Sequence, residues 1–192
     1  MQTVTIDSYL TQKKLEKALK EIVGPEAWLG RESLVAEGSK FRWDMTYWEL
    51  NQNKVIVEFD GDGHYRDSLQ IKRDHLKNEI AKTQKALVIR IPYWVQLTTE
   101  TLAFYTDLEA NVIQDFPHGF ITTKYFPASF CELGIRRFRT ELDKLPQKIR
   151  IAVLDSLRNR CSQRPLPKGR GFRAGNKMNT GKNTSCLNPC IS

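Results

Sequence analysis

Residues 55–65 read Val55-Ile56-Val57-Glu58-Phe59-Asp60-Gly61-Asp62-Gly63-His64-Tyr65. In extended backbone, side chains alternate between two sides. Val55, Val57 and Phe59 therefore share one face of a strand, and Ile56, Glu58 and Asp60 share the other. Gly61-Asp62-Gly63 breaks that strand. Upstream, Asn51-Gln52-Asn53 is a turn, and Phe41 to Trp48 reads as a second strand. Its alternation puts Phe41, Trp43, Met45 and Tyr47 on one side and Arg42, Asp44, Thr46 and Trp48 on the other. A hairpin symmetrical about Asn51 sets position 44 opposite position 58, which brings Asp44 onto the patch that holds Glu58 and Asp60.

Working outward, Leu15, Ala18, Leu19, Ile22 and Val23 mark the apolar stripe of a helix from about residue 8 to 23. Asp7 or Ser8 caps it, Gly24-Pro25 stops it, and Glu16 falls at the stripe's edge. Ser33 to Glu37 is a strand ended by Gly38, and a second helix runs from near Ser68 to Gln84. Ala86 to Ile91 forms a short buried strand closed by Pro92. The order over residues 8–92 is helix, strand, strand, strand, helix, strand, an α/β (α+β) arrangement of helices covering a small mixed sheet. Thr98 to Ala110 reads as helical and 111–127 as irregular. Two further helices follow at about 128–145 and 146–159, with Pro146 in the first turn of the second.

The 192 residues carry 30 Lys plus Arg against 22 Asp plus Glu, a net charge of +8. Residues 161–192 hold six of those cations and no acid, leaving 24 cations against 22 acids, only +2, in residues 1–160. After Gln163 the chain turns to Gly, Asn, Lys, Arg and Pro, which cannot bury enough surface to order itself. Residues 161–192 are thus expected to be a basic disordered tail. No apolar run approaches the roughly 20 residues that span a bilayer, which argues against a membrane partner. The start lacks the basic and apolar regions of a secretory leader. The four cysteines, at 131, 161, 186 and 190, show no framework spacing, and Cys186 and Cys190 lack a second pair to complete a zinc site. Reduced thiols and a cytoplasmic location are the expectation.

The acids carry the chemistry. Two carboxylates about 4 Å apart repel by roughly 4 kcal/mol at an effective dielectric near 20, so the patch of Asp44, Glu58 and Asp60 calls for a counter-charge. Lys or Arg can supply it, and so can a divalent metal. Oxygen-rich sites suit Mg²⁺ or Mn²⁺, which can polarise a phosphodiester and activate water. His64, at the strand end, can take or give a proton near neutral pH. The residues alone also fit a blander picture. Alternating acids describe a solvated strand face, a lone histidine after a turn is commonly a surface group, and Asp62 suits a turn. With Leu76 and Ile80 marking the buried side of its helix, Asp74 projects toward solvent.

Taken together, Asp44, Val57-Glu58-Phe59-Asp60-Gly61 with His64, Lys72-Arg73-Asp74-His75-Leu76-Lys77-Asn78-Glu79 and Leu87-Val88-Ile89-Arg90-Ile91-Pro92-Tyr93 form a recognisable series. It resembles the very short patch repair endonuclease-like branch of the PD-(D/E)XK nucleases, which includes homing endonucleases with a Glu-Asp-x-His-Asp site. The resemblance covers roughly residues 10–95. It implies a restriction-endonuclease-like αβββαβ core over residues 1–97, followed by a helical C-terminal extension over 98–160. Glu16 corresponds to the family's helix glutamate and Asp44 to its metal-binding aspartate. Asp60 takes a position where the mismatch-repair members have histidine, His64 matches the downstream histidine, and Asp74 the aspartate that positions it. The lysine of the wider superfamily is replaced by Asp60, and the structural zinc ligands have no counterpart, which argues against the same T:G mismatch substrate.

The implied activity is metal-dependent hydrolysis of DNA phosphodiesters, of homing or restriction type. Asp44 and Asp60 would hold Mg²⁺ or Mn²⁺, Glu58 would assist, His64 would move the proton, and Glu16 and Asp74 would orient the others. Arg90 is either a phosphate contact or a structural strand-end arginine. Arg136, Arg137, Arg139, Lys148 and Arg150 offer a basic surface for backbone phosphate, with a solvated helix face as the default. The rivals are a nucleic-acid-binding protein without cleavage and a glycosidase using a carboxylate pair. Against the glycosidase, acids on one strand do not flank a substrate from two sides. RNA as substrate and a homodimer as assembly are left open.

Overall fold

In a computed structural model of the chain, residues 2–36, 39–49, 53–114 and 127–162 are described. Of the tail expected over 161–192, residues 161 and 162 are the end of the last helix and the rest, with Cys186 and Cys190, lies outside the described residues. A mixed sheet of four strands organises the molecule: β2 (Trp28–Gly30), β5 (Met45–Trp48), β6 (Lys54–Asp60) and β7 (Leu87–Pro92), in that order. The pairs β2–β5 and β5–β6 are antiparallel, and β6–β7 is parallel. The parallel pair is joined through α2 (Gly63–Arg66) and α3 (Ser68–Thr83), as a crossover requires. Met45 pairs with Val57 and Trp48 with Lys54, the register expected of the hairpin, whose turn residues 50–52 lie outside the described ones.

The expected strand over 41–48 is in fact two. A ribbon of β3 (Ser33–Ala36) and β4 (Ser39–Arg42) ends at Arg42, and β5 starts at Met45. The alternation slips at this break. Trp43 packs with Ile56, Ala81 and Ala86 on the α3 side, whereas Met45 and Tyr47 join the larger core on the other side. Trp43 therefore does not share the face of Met45.

The first helix, α1 (Gln12–Val23), starts later than its stripe suggests. Thr11, not Asp7 or Ser8, is the cap, accepting the Lys14 N–H on its hydroxyl at 3.3 Å. Gly24, at φ 85°, ends the helix in a conformation that side-chain-bearing residues resist. Leu15, Ala18 and Leu19 cover the sheet face formed by Met45, Tyr47, Val55, Val57, Ile89 and Ile91. The same apolar cluster takes in Leu102 of α4 (Thr99–Tyr105), Phe138 and Leu142 of α5 (Glu132–Lys144), and Ile149, Val153 and Leu157 of α6 (Gln147–Ser162). Pro146 stands immediately before α6, and its carbonyl accepts the Arg150 N–H. No helix among the described residues is long and apolar enough to cross a membrane.

A second small sheet pairs β1 (Thr3–Ile6) in parallel with β8 (Asn111–Gln114). Part of the stretch expected to be irregular is thus a strand, and the helix before it is shorter than its expected 98–110. Each of the two strands buries only two side chains, Val4 and Ile6 in one, Val112 and Gln114 in the other. So short a period-2 signal is carried by a partner more than 100 residues away, with no turn between them to announce the pairing.

Candidate functional site

The site lies where β6 ends and α2 begins. Asp60 is the last residue of β6 and has no exposed surface. One helical turn on, His64 of α2 turns back toward it, with Nδ1 3.2 Å from Asp60 Oδ1. The same Nδ1 lies 2.7 Å from Asp74 Oδ2 on α3. An ionised carboxylate can only accept, so the imidazole proton resides on Nδ1 and Nε2 carries the free lone pair. One imidazole nitrogen and two carboxylate oxygens thus lie within 4.8 Å of one another, and this group could hold a metal ion.

Asp74 is not solvent-facing as its helix pattern suggests. It is 3% exposed, while Leu76 is 41% exposed. The buried stripe of α3 runs through Ile71, Asp74, Ile80 and Ala81, so of the two residues expected to mark it Ile80 is buried and Leu76 is not. The stripe is interrupted by an acid because Arg90, Arg137 and His64 meet it there. Asp67 caps the helix, accepting the Leu69 N–H at 2.8 Å.

Two guanidinium groups neutralise the pair of aspartates. Arg90 of β7 donates from Nε and Nη2 to the two oxygens of Asp60 at 2.8 and 2.7 Å, and reaches Asp74 Oδ1 at 2.9 Å and Asn78 Oδ1 at 3.1 Å. The planar fork makes this bidentate geometry natural. Arg137 of α5 bridges Asp60 Oδ2 and Asp74 Oδ2, the second at 2.7 Å, and donates from Nε to Glu141 at 2.7 Å. Its helix is brought in by a close approach: Cys131 N–H donates to the Tyr65 carbonyl, and a Cβ on Gly134 would fall 1.7 Å from that same oxygen. Only glycine lets α5 lie that near to α2, which sets Arg137, one turn further on, over the Tyr65 ring at 5.0 Å.

The hairpin supplies a second group of charges. At position 44–58 side chains complete the pairing: Glu58 Oε1 accepts the Asp44 N–H at 3.2 Å, and Asp44 Oδ2 accepts the Phe59 N–H at 3.1 Å. Lys77 of α3 donates to Glu58 Oε2 at 2.6 Å and to the Arg42 carbonyl at 2.8 Å, and its Nζ sits over the Trp43 ring at 4.6 Å. Asp44 is the one carboxylate of the four, with Glu58, Asp60 and Asp74, that has no ion pair among the described residues. It is not part of the Asp60, His64 and Asp74 group that could hold a metal ion.

Electrostatics follow burial and partners. Burial pushes the Asp74 carboxyl up, but its His64 hydrogen bond and the Arg90 and Arg137 charges outweigh this and hold it at about 2. Glu58 is raised, chiefly by burial with Asp44 adding to it and Lys77 opposing. Glu141 is also raised by burial, against Arg137 and the Tyr65 hydroxyl that donates to it. Burial alone would lower Arg137; Asp60, Tyr65 and Glu141 reverse this and keep it charged. The contribution of Asp74 to stability is complete above the ordinary value of 3.8 and is lost as pH falls from there through about 2. The urea midpoint of the wild type is therefore expected to fall between pH 4 and pH 2, and Asp74→Asn to flatten that fall. A midpoint slope identical in the two proteins contradicts the assignment.

The remaining predicted residues lie elsewhere. Glu16 pairs with Arg31 at 3.5 Å. Arg136 is exposed and pairs with Glu132, and Lys148 pairs with Glu100 of α4. Arg139 and Arg150 are half-buried on α5 and α6. Arg137, expected with them on a basic surface, turns inward instead. A cavity of about 390 Å³ opens beside the site, and its lining includes Lys72, His75, Asn78, Arg90, Arg136 and Arg137, together with Asp74. Lys77, Asn78, Tyr65 and Glu141 escaped the sequence reading. Asp74, Lys77 and Asn78 stand at i, i+3 and i+4, so a correct choice of buried stripe would have found the two on α3.

No family model matches the chain, and no curated protein matches it. Among solved structures the chain is similar to an EndoMS–dsDNA2 complex, at 19% identity and a TM-score of 0.23, over 55% of this chain and 46% of that one. The overlap spans less than half of that chain, and at this score it establishes neither a shared fold nor a shared activity.

Proposed function

We propose that the chain is a metal-dependent DNA endonuclease of homing or restriction type, hydrolysing phosphodiester bonds at the end of β6. The observation that carries this reading is His64, fixed through Nδ1 by Asp74 and Asp60, with Asp74 also lining a cavity that holds Arg90, Arg136, Arg137 and Lys72. Hydrolysis of a phosphodiester needs a proton acceptor and cations for the phosphate charge, and these elements adjoin here.

The donor set suits a hard divalent ion. Asp60 and Asp74 offer oxygens of the kind Mg²⁺ and Mn²⁺ prefer, and Asp44, which makes no ion pair among the described residues and is hydrogen-bonded beside Glu58, would add another. Asp44 and Asp60 would hold the ion, with Glu58 assisting; when bound, such an ion lowers the pKa of water and polarises the phosphoryl oxygen. His64 Nε2 accepts a proton from the attacking water. Asp74 keeps the imidazole in the required tautomer and orientation. Arg90, Arg136 and Lys72 contribute the positive wall on which backbone phosphate rests, with Arg139, Lys148 and Arg150 as more distant contacts. Glu16 would orient these groups from α1.

One observation favours a second reading. Arg90 and Arg137 already neutralise Asp60 and Asp74, which is also what a nucleic-acid-binding protein without cleavage would need. Supercoiled plasmid incubated with the full chain separates the two. The nuclease converts it to open circles or linear DNA in Mg²⁺ or Mn²⁺ and leaves it intact in chelator. Retarded but uncut plasmid supports the binding protein and overturns the nuclease.

A further inference from the structure

The geometry points to Arg137 as a gate that couples phosphate binding in the adjoining cavity to cation binding at Asp60. This inference rests on the proposed metal-dependent reading of the site. All four oxygens of the two aspartates accept two nitrogen contacts each. Asp60 Oδ1 receives Arg90 and His64, and Asp60 Oδ2 receives Arg90 and Arg137. Asp74 Oδ1 receives Arg90 and Gln70, and Asp74 Oδ2 receives His64 and Arg137. A divalent ion gains access to Asp60 only when a guanidinium withdraws.

Arg90 is the fixed one of the two. It is rooted in β7 directly beside β6 and spends its fork on both oxygens of Asp60. Arg137 is the exchangeable one. It reaches across from α5 and touches a single oxygen of each aspartate, and its remaining nitrogen is held by Glu141. Its side chain also lines the cavity of about 390 Å³, as do Lys72, His75 and Arg136. A phosphate entering there offers Arg137 an equivalent bidentate partner and releases Asp60 Oδ2 and Asp74 Oδ2. A cation at the aspartates in turn releases Arg137 to the phosphate. Each ligand strengthens the other, by the same factor in both directions. Without DNA the aspartates stay covered, and the ion binds weakly.

The test is a titration of the full chain with Mn²⁺, the free ion being counted by electron paramagnetic resonance. The gate predicts that Arg137→Gln binds Mn²⁺ about tenfold more tightly than the wild type in the absence of DNA, within the range usual for such couplings. It also predicts that a short DNA duplex, with its own Mn²⁺ binding subtracted, tightens the wild type by a similar factor and the variant by little. Arg137→Lys keeps the charge on a single nitrogen that cannot span both aspartates. It is expected to bind between the two, and it decides the matter if Arg137→Gln does not fold. Equal or weaker Mn²⁺ binding in both variants, with melting curves intact, overturns the gate while leaving the metal site standing. Absence of Mn²⁺ binding from all three proteins, with and without the duplex, overturns the gate together with the metal-dependent reading.

Discussion

Replacing His64 by alanine is expected to slow DNA cleavage by about 10²–10⁴-fold, the usual contribution of a positioned acid–base group. The expectation comes from how the ring is held. Nδ1 donates to Asp74 at 2.7 Å and lies 3.2 Å from Asp60, so the ring is locked and Nε2 alone remains to take a proton. The imidazole is partly exposed, and the buried Asp60–Arg90 pair does not depend on it. The fold should therefore survive the change, and duplex affinity, which the proposed reading assigns to lysines and arginines, should stay within about threefold. Initial rates of plasmid nicking, set beside fluorescence anisotropy of a labelled duplex, separate the two effects. A variant that cleaves at the wild-type rate removes His64 from the mechanism.

The largest stability effect is expected at Asp60. Its side chain is fully buried and compensates both Arg90 and Arg137. Asp60→Ala leaves two guanidinium groups in a low-dielectric environment with one aspartate between them, and breaking a buried pair in this way costs about 3–5 kcal/mol. Arg137 keeps Glu141, and Arg90 keeps Asp74 and Asn78, so the loss is expected toward the lower end of that range. Urea unfolding of the two proteins, compared at pH 7, measures it. A change below about 1 kcal/mol, the scale of an exposed ion pair, means that the interior charges are not coupled as the geometry indicates.

The hairpin and the crossover were legible in the sequence because short-range patterns specify them. The turn at Asn51 and the alternation in β6 give the register that sets position 44 opposite 58. Gly24, with its positive φ, marks the end of α1. What failed depends on partners distant in the chain. β1 and β8 are too short to show a period, and in α3 Ile80 marks the buried side correctly while Leu76, which is exposed, points the stripe away from the acid at position 74. A buried carboxylate looks like a surface residue until the arginines that neutralise it are in place. Those arginines come from β7 and from α5, and position 137 sits next to Arg136, which does face outward. The need for a counter-charge at the acid patch was readable. That Arg90, Arg137 and Lys77 all contribute to it required the fold.

The central claim is that His64 and Asp74 act as one unit beside Asp60. A double-mutant cycle read on DNA cleavage tests it most directly, with His64→Ala, Asp74→Asn and the double variant compared at saturating enzyme in Mn²⁺. Groups that work through each other are non-additive. The double variant is therefore predicted to cleave no more slowly than His64→Ala alone. Losses that multiply, or a wild-type chain that binds the duplex and never cuts it, would contradict the account.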